Sequence, residues 1–315
     1  MIGLFYIDGI NAYETYNVFV KQNSFAGLIE YPQFKQLESN DWAEYDGIEV
    51  DLSNPVLDSK EITITFISDS VGFVNFMKLI TETVYHDFYF PALDKTFRLR
   101  AIKQTSNSIV GVNEFGVQFS DDNPMDGYIY ENPTFLAPAT SYFIDDIDLS
   151  NYGLRILNGT EASIFTQGDI KEQVFVDLPT TKGLKYGIQK LEFVTTGETP
   201  TTILPDNVFK AKEANINCLL KCSNIVTFWK SYNAFVYNLI QPGERVLTSG
   251  RDYDGIPFHY NGIQVNDFFV STNTVWCNFS LSLVQTRYRL QNVVELLSTE
   301  DEYLILTEDN NFIAI

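Results

Sequence analysis

A chain of 315 residues and 36.0 kDa exceeds the size at which one hydrophobic core usually stops growing, about 250 residues, and points to two domains. Hydrophobic residues make up 45% of it and charged residues 20%, with 25 Phe and 18 Tyr, so there is enough apolar surface to offset chain entropy, and low-complexity disorder is excluded. Asp and Glu number 41 against 21 Lys and Arg; the net charge of −20 excludes wrapping of nucleic acid through phosphate contacts and favours solubility.

Met1 to Ile10 lacks a basic stretch and carries Asp8, and no run approaches 18 apolar residues, so neither a secretory signal, a membrane anchor nor a transmembrane helix is expected. From there, period-two alternation dominates. Glu49–Leu52, Ile62–Phe66, Phe97–Ala101 and Gly116–Phe119 all read as half-buried antiparallel strands. Ser70 opens a stretch in which Phe73, Phe76, Met77, Ile80 and Val84 recur at helical spacing, which predicts one amphipathic helix capped by Ser70. Asp121-Asp122-Asn123-Pro124 is a turn-rich stop; its likeness to a calcium loop fails because Pro124 and Pro133 fall at ligand positions.

The chain then repeats itself. Ile7-Asp8-Gly9-Ile10 returns as Ile144-Asp145-Asp146-Ile147, Lys60-Glu61-Ile62 as Lys212-Glu213-Ala214, and the helix face Phe73, Phe76, Met77 as Ile225, Phe228, Trp229. The offset grows from 137 to 152, so the second copy carries an insertion, placed near 187–205. The expected organisation is a first β-domain at 1–125, a linker at 126–139, a second at 140–286 and a carboxy-terminal extension at 287–315. In that extension Thr299–Leu306 and Thr307–Ala314 form two apolar runs joined by an acidic turn, which predicts a hairpin too small to be stable unless it docks. Its apolar residues Tyr303, Leu304, Ile305, Leu306, Phe312, Ile313 and Ile315 are the candidate contacts with a neighbouring chain.

Catalytic or metal-binding sets are scarce. The two histidines, His86 and His259, sit in aromatic runs and read as packed or surface residues. Cys218, Cys222 and Cys277 lack the partners that a zinc site or disulfide scaffold needs, and no nucleophile elbow, phosphate loop or dinucleotide signature is present, so no cofactor and no metal are expected. Asp41, Glu44, Asp46, Glu49 and Asp51 cluster around Trp42 and Tyr45, but proximity along a loop is ordinary for solvated carboxylates and does not make a hydrolase pair.

The run Asp41-Trp42-Ala43-Glu44-Tyr45-Asp46-Gly47-Ile48-Glu49-Val50-Asp51-Leu52, then Lys60–Phe66, the helix, and the closing Phe119-x-x-Asp122-Asn123-Pro124 resembles the amino-terminal belt domain of phage distal tail proteins. The resemblance covers about the first 125 residues and extends loosely to the second copy. It implies a mainly β (α+β) fold of two split β-barrels, each flanked by one helix, plus the terminal hairpin. It also implies a non-enzymatic virion protein of the phage tail tip, assembled in the host cytoplasm. Such a protein forms a homo-oligomeric ring at the distal end of the tail tube, next to tip, hub or fibre proteins and the tape measure protein, and DNA passes through the ring without specific binding. The chain departs from the family pattern by carrying a second belt-like copy where a carbohydrate-binding-like domain is usual. Three chains would then give one pseudo-six-fold ring and six chains two stacked rings. The alternative from another class is a two-domain carbohydrate-binding adhesin that uses exposed aromatics.

Overall fold

The structure, a computed structural model, describes residues 3–21, 24, 26–42, 45–110, 112–133, 142–157, 163–166, 168–171, 191–193, 201–203, 208–249 and 252–287. Alternating runs fold as strands with one face inward. Ile62, Ile64 and Phe66 are buried while Glu61 and Thr63 face out, and Ala214, Ile216, Cys218 and Leu220 repeat the pattern. In chain order the first-half strands are β1 (Tyr6–Ile7), β2 (Ile10–Asn11), β3 (Phe19–Val20), β4 (Ser39–Asn40), β5 (Glu49–Val50), β6 (Lys60–Ser68), β7 (His86–Phe90), β8 (Lys95–Val110) and β9 (Val112–Asp121). The second half contributes β10 (Tyr142–Ile144), β11 (Ile147–Asp148), β12 (Leu154–Ile156), β13 (Leu191–Phe193), β14 (Thr201–Ile203), β15 (Lys212–Cys222), β16 (Arg245–Ser249), β17 (Asp252–Val270) and β18 (Val275–Gln285). Among the described residues the α-helices are α1 (Ala12–Tyr16), α2 (Ala26–Ile29), α3 (Ser70–Glu82) and α4 (Ile225–Leu239). None is long and apolar enough to cross a membrane.

Two seven-stranded antiparallel sheets carry this mainly β fold, ordered β2-β1-β7-β8-β9-β6-β3 and β11-β10-β16-β17-β18-β15-β12. Strand for strand the orders are the same. In each unit the long helix lies between equivalent strands, α3 between β6 and β7 and α4 between β15 and β16. In the first unit the sheet ends meet, as in a split barrel: Val20 N on edge strand β3 donates to Gly3 O, just ahead of β1, at 2.9 Å. A Cβ on Gly3 would lie 2.5 Å from Val20 O, so only glycine permits the approach.

The repeat extends to individual hydrogen bonds. Asp8 and Gly9 (φ 50° and 79°) and Asp145 and Asp146 (φ 49° and 65°) make the same left-handed hairpin turn. In each, the first Asp clamps a neighbouring strand. Asp8 Oδ1 accepts from Asp87 N and Asp145 Oδ1 from Val246 N, both at 2.9 Å, while the other oxygen meets His86 Nδ1 at 2.6 Å and Arg245 at 2.8 Å. Lys60 Nζ donates to the carbonyls of Leu28 and Glu30, and Lys212 Nζ to those of Ser163 and Thr166, so a lysine opening the strand satisfies a preceding short helical turn in both units. Burial draws the Lys212 pKa down.

Two details differ from the sequence reading. The cap of α3 is Asp69, not Ser70: its carboxylate accepts from Gly72 N at 2.6 Å, Ser70 is the first helical residue, and Val84 lies past the helix end. Asn224 does the same for α4 through Thr227 N at 2.8 Å. Matching cap to cap sets the helix offset at 155 rather than 152, so Phe73 and Met77 correspond to Phe228 and Tyr232, one turn along from the expected Ile225 and Trp229. The isolated bridges Phe34 to Leu57 and Ile170 to Phe209 give offsets of 136 and 152, which confines the extra residues of the second copy between Ile170 and Phe209.

Candidate assembly interface

Among the described residues the two units hold each other through polar and aromatic contacts. The groove between α4 and β17 receives residues 29–34 of the first unit. There Tyr232 Oη donates to Ile29 O (3.0 Å), Tyr260 Oη and Ile263 N donate to Tyr31 O (2.9 and 3.0 Å), and Tyr31 Oη donates to Asn233 (2.9 Å). The Tyr31 ring packs on Tyr232 and the Phe34 ring meets Tyr260 edge-on, at centroid distances of 5.8 and 5.6 Å. Buried phenols need acceptors, and backbone carbonyls supply them. Burial raises the pKa of Tyr31, Tyr232 and Tyr260 well above the usual tyrosine value, so all three stay neutral donors.

A second contact is made by an arm that spans residues 38–52 and carries the β4–β5 hairpin. Gly47 N donates to Phe209 O (2.7 Å), Ile48 N to Thr286 O (2.9 Å), and Gly243 N to Leu52 O (2.8 Å). Lys171 is buried under the arm, where its ammonium donates to the carbonyls of Trp42, Tyr45 and Gly47 and pairs with Asp41 at 2.5 Å. The carboxylates of this stretch therefore have structural partners: Asp46 Oδ1 accepts from Phe209 N (2.8 Å), Glu49 from Trp42 Nε1 (3.0 Å) and Asp51 from Ser53 N (2.9 Å). The Ser53 backbone bond holds the Asp51 pKa below the usual carboxylate value.

The third contact joins Leu93 and β8 to α4. Trp229 Nε1 donates to Leu93 O (2.7 Å), Phe97 packs edge-on against the Trp229 ring, and the Lys95 ammonium lies 3.9 Å from its centre. A cavity of about 340 Å³ opens here, lined by Tyr31, Lys60, Lys95, Arg98, Asp121 and Asp122 among others. Arg100 binds Asp122 through two hydrogen bonds (2.9 and 3.0 Å) and holds that carboxyl far below its ordinary pKa.

The assembly residues expected from sequence, Tyr303, Leu304, Ile305, Leu306, Phe312, Ile313 and Ile315, lie outside the described residues, as does Glu44. His86 and His259 are packed: His86 bridges Asp8 and Thr83, and His259 meets Tyr260 O at 3.1 Å, with burial drawing its pKa down. The three cysteines are free and buried, which pushes the Cys222 thiol up to about 11 and the other two higher. Among the described residues no group of three or more His, Cys, Asp or Glu is placed to hold a metal ion. Sequence reasoning missed Tyr31, Lys171, Tyr232 and Tyr260, whose partners stand more than a hundred positions away along the chain.

No family model matches the chain, and no curated protein matches it significantly. Among solved structures it is similar to the SPP1 Dit (gp 19.1) protein, described as a paradigm of the hub adsorption apparatus in phages that infect Gram-positive bacteria. The match has 10% identity and a TM-score of 0.32, and covers 90% of this chain and 99% of that one.

Proposed function

We propose that this chain is a structural component of a phage tail tip, a distal-tail or baseplate-hub protein whose paired units build a ring joining the tail tube to the tip or fibres. The observation that carries the reading is the pairing itself: two units of one strand order in one chain, the groove of the second filled by a segment of the first. A ring is built by repeating one contact around an axis, and a duplicated unit supplies that contact once within every chain. The belt-like run from Asp41 to Leu52 gives the reading its family, and in this fold it is the arm that ties unit to unit. The protein acts by holding a channel for genome and tape measure rather than by breaking bonds, and its negative charge keeps the DNA polyanion from adhering.

Negative-stain microscopy and native mass spectrometry of the purified chain, alone and beside the tail tube protein, test this. Rings of three or six chains are expected. Monomers at every concentration with no ring beside the tube protein would defeat the reading, as would glycan or peptide cleavage that is lost when Asp46 or Glu49 is replaced. One observation favours a second reading, the adhesin. Trp42 and Tyr45 are 52% and 71% exposed and border a cleft of about 550 Å³ with Glu49, Glu244 and Arg287. Glycan-array binding abolished by Trp42→Ala would support it, and an empty array would remove it.

A further inference from the structure

Among the described residues the repeat leaves one groove filled and its counterpart open. Tyr232, Tyr260 and Ile263 receive residues 29–34 in the second unit. The caps give the helix an offset of 155, and the clamped pair Asp87 and Val246 gives the long strand an offset of 159. The first bulges, Ala101/Lys103 and Tyr260/Gly262, keep that strand offset. The three receiving residues thus correspond to Met77, Ala101 and Gln104. These line an open groove of about 400 Å³ between α3 and β8, together with Ile80, Val84 and Ile102. At its rim Val84 is 62% exposed, a large apolar side chain without cover from the described residues.

What fits the groove is indicated by the same repeat. The bridges Phe34 to Leu57 and Ile170 to Phe209 match residues 29–34 to residues 165–170. Phe165 and Ile170 are half-buried and Asp169 is exposed. In the filled groove Gly262 lies against Gln33, whose N would be 3.6 Å from a Cβ placed there. The corresponding residues are Lys103 and Asp169, both exposed and of opposite charge. We propose that the α3–β8 groove docks residues 165–170 of a second copy of this chain, with Lys103 set against Asp169 of the partner subunit. Groove and plug are different surfaces, so the contact is head-to-tail and closes into a ring where the rotation allows. The assignment rests on the ring reading for its partner and on the repeat for its place.

The test uses the full chain. Lys103→Glu and Asp169→Lys should each weaken self-association about tenfold in sedimentation, and the double variant should restore it, which loss of structure alone would not do. Chains with Ala101→Cys mixed with chains carrying Ile170→Cys should form disulfide-linked dimers, and neither should do so alone; the native cysteines are buried. Rings that form unchanged in both single reversals, without cross-linking in the mixture, would overturn the groove and leave the ring standing. Self-linking of Ala101→Cys would also overturn it, by showing like surfaces in contact. Monomers at every concentration, with the tube protein present, would remove the ring reading and the groove together.

Discussion

The Lys95 ammonium rests against the Trp229 ring with Lys60 close by, in a chain that has few cations and many carboxylates. Burial first, and the Lys60 charge second, bring the Lys95 pKa from 10.5 down to about 7. Burial likewise lowers Lys60 to about 8, against the opposing pull of Asp121 and Glu30. Asp121 is near both lysines, whose charges lower its pKa, yet desolvation outweighs them and raises it. A lysine whose pKa is depressed by folding binds fewer protons in the native chain than in the unfolded one between about pH 7 and 10.5, so its contribution to stability rises with pH across that window. Within the upper part of that window the buried thiols of Cys218, Cys222 and Cys277, and then Tyr31, Tyr232 and Tyr260, act in the opposite sense. Their thiols and phenols ionise first in the unfolded chain, the native chain then holds more protons, and stability falls. Denaturation midpoints should therefore peak near about pH 9 to 10, and Lys95→Met should flatten the rise from pH 7 while leaving the fall at high pH. A midpoint that declines steadily from pH 7 in the unmodified chain would contradict the burial argument.

Elements were legible where a local pattern decides them and illegible where a distant partner does. Alternation gave β6 and β9, because one face of each is apolar along its length, and the repeat of Lys60-Glu61-Ile62 gave β15. The paired turns at Asp8 and Asp145 were visible as a repeated motif, though not the clamp each makes on a strand some eighty to a hundred residues away. The cap of α3 slipped by one residue because Asp69 and Ser70 are both good caps and the carboxylate reached Gly72 N. The arm is the instructive case. Its run of carboxylates reads as a solvated loop, and its backbone is fixed by Phe209, Thr286 and Lys171 from the other unit. Gly47 is its tightest point, at φ 72° with a substituent Cβ that would lie 1.5 Å from Thr286 O. Gly47→Ala should cost about 2–4 kcal/mol through backbone strain and forced separation. Hydrogen exchange should show the amides of Gly47, Ile48 and Gly243 opening together while β6 and β15 keep their protection; unchanged exchange at these three amides would show that the arm is not pinned there.

At the scale of the whole molecule, the two units are a repeat in topology but not independent bodies. Residues 29–34, the arm and Leu93 each place backbone donors or acceptors of one unit against partners from the other, and Tyr31, Phe34, Tyr232 and Tyr260 are buried with ring or hydrogen-bond partners across the junction. Separating them would expose several aromatic rings. It would also break the hydrogen bonds from the Lys171 ammonium to three carbonyls of the arm, each worth about 1.5–3 kcal/mol for a charged donor. Coupling of that size is a sizeable share of a domain's net stability, which is about 5–15 kcal/mol, so neither unit should unfold while the other stays native. Calorimetry on the full chain should accordingly give one transition whose calorimetric and van't Hoff enthalpies agree. Lys171→Met should lower the midpoint and split the transition in two, because it weakens the contact between units without touching either sheet. Two transitions already resolved in the unmodified chain would show that the interface is too weak to couple the units, and that the interlocked segments are a contact of convenience between separately stable barrels.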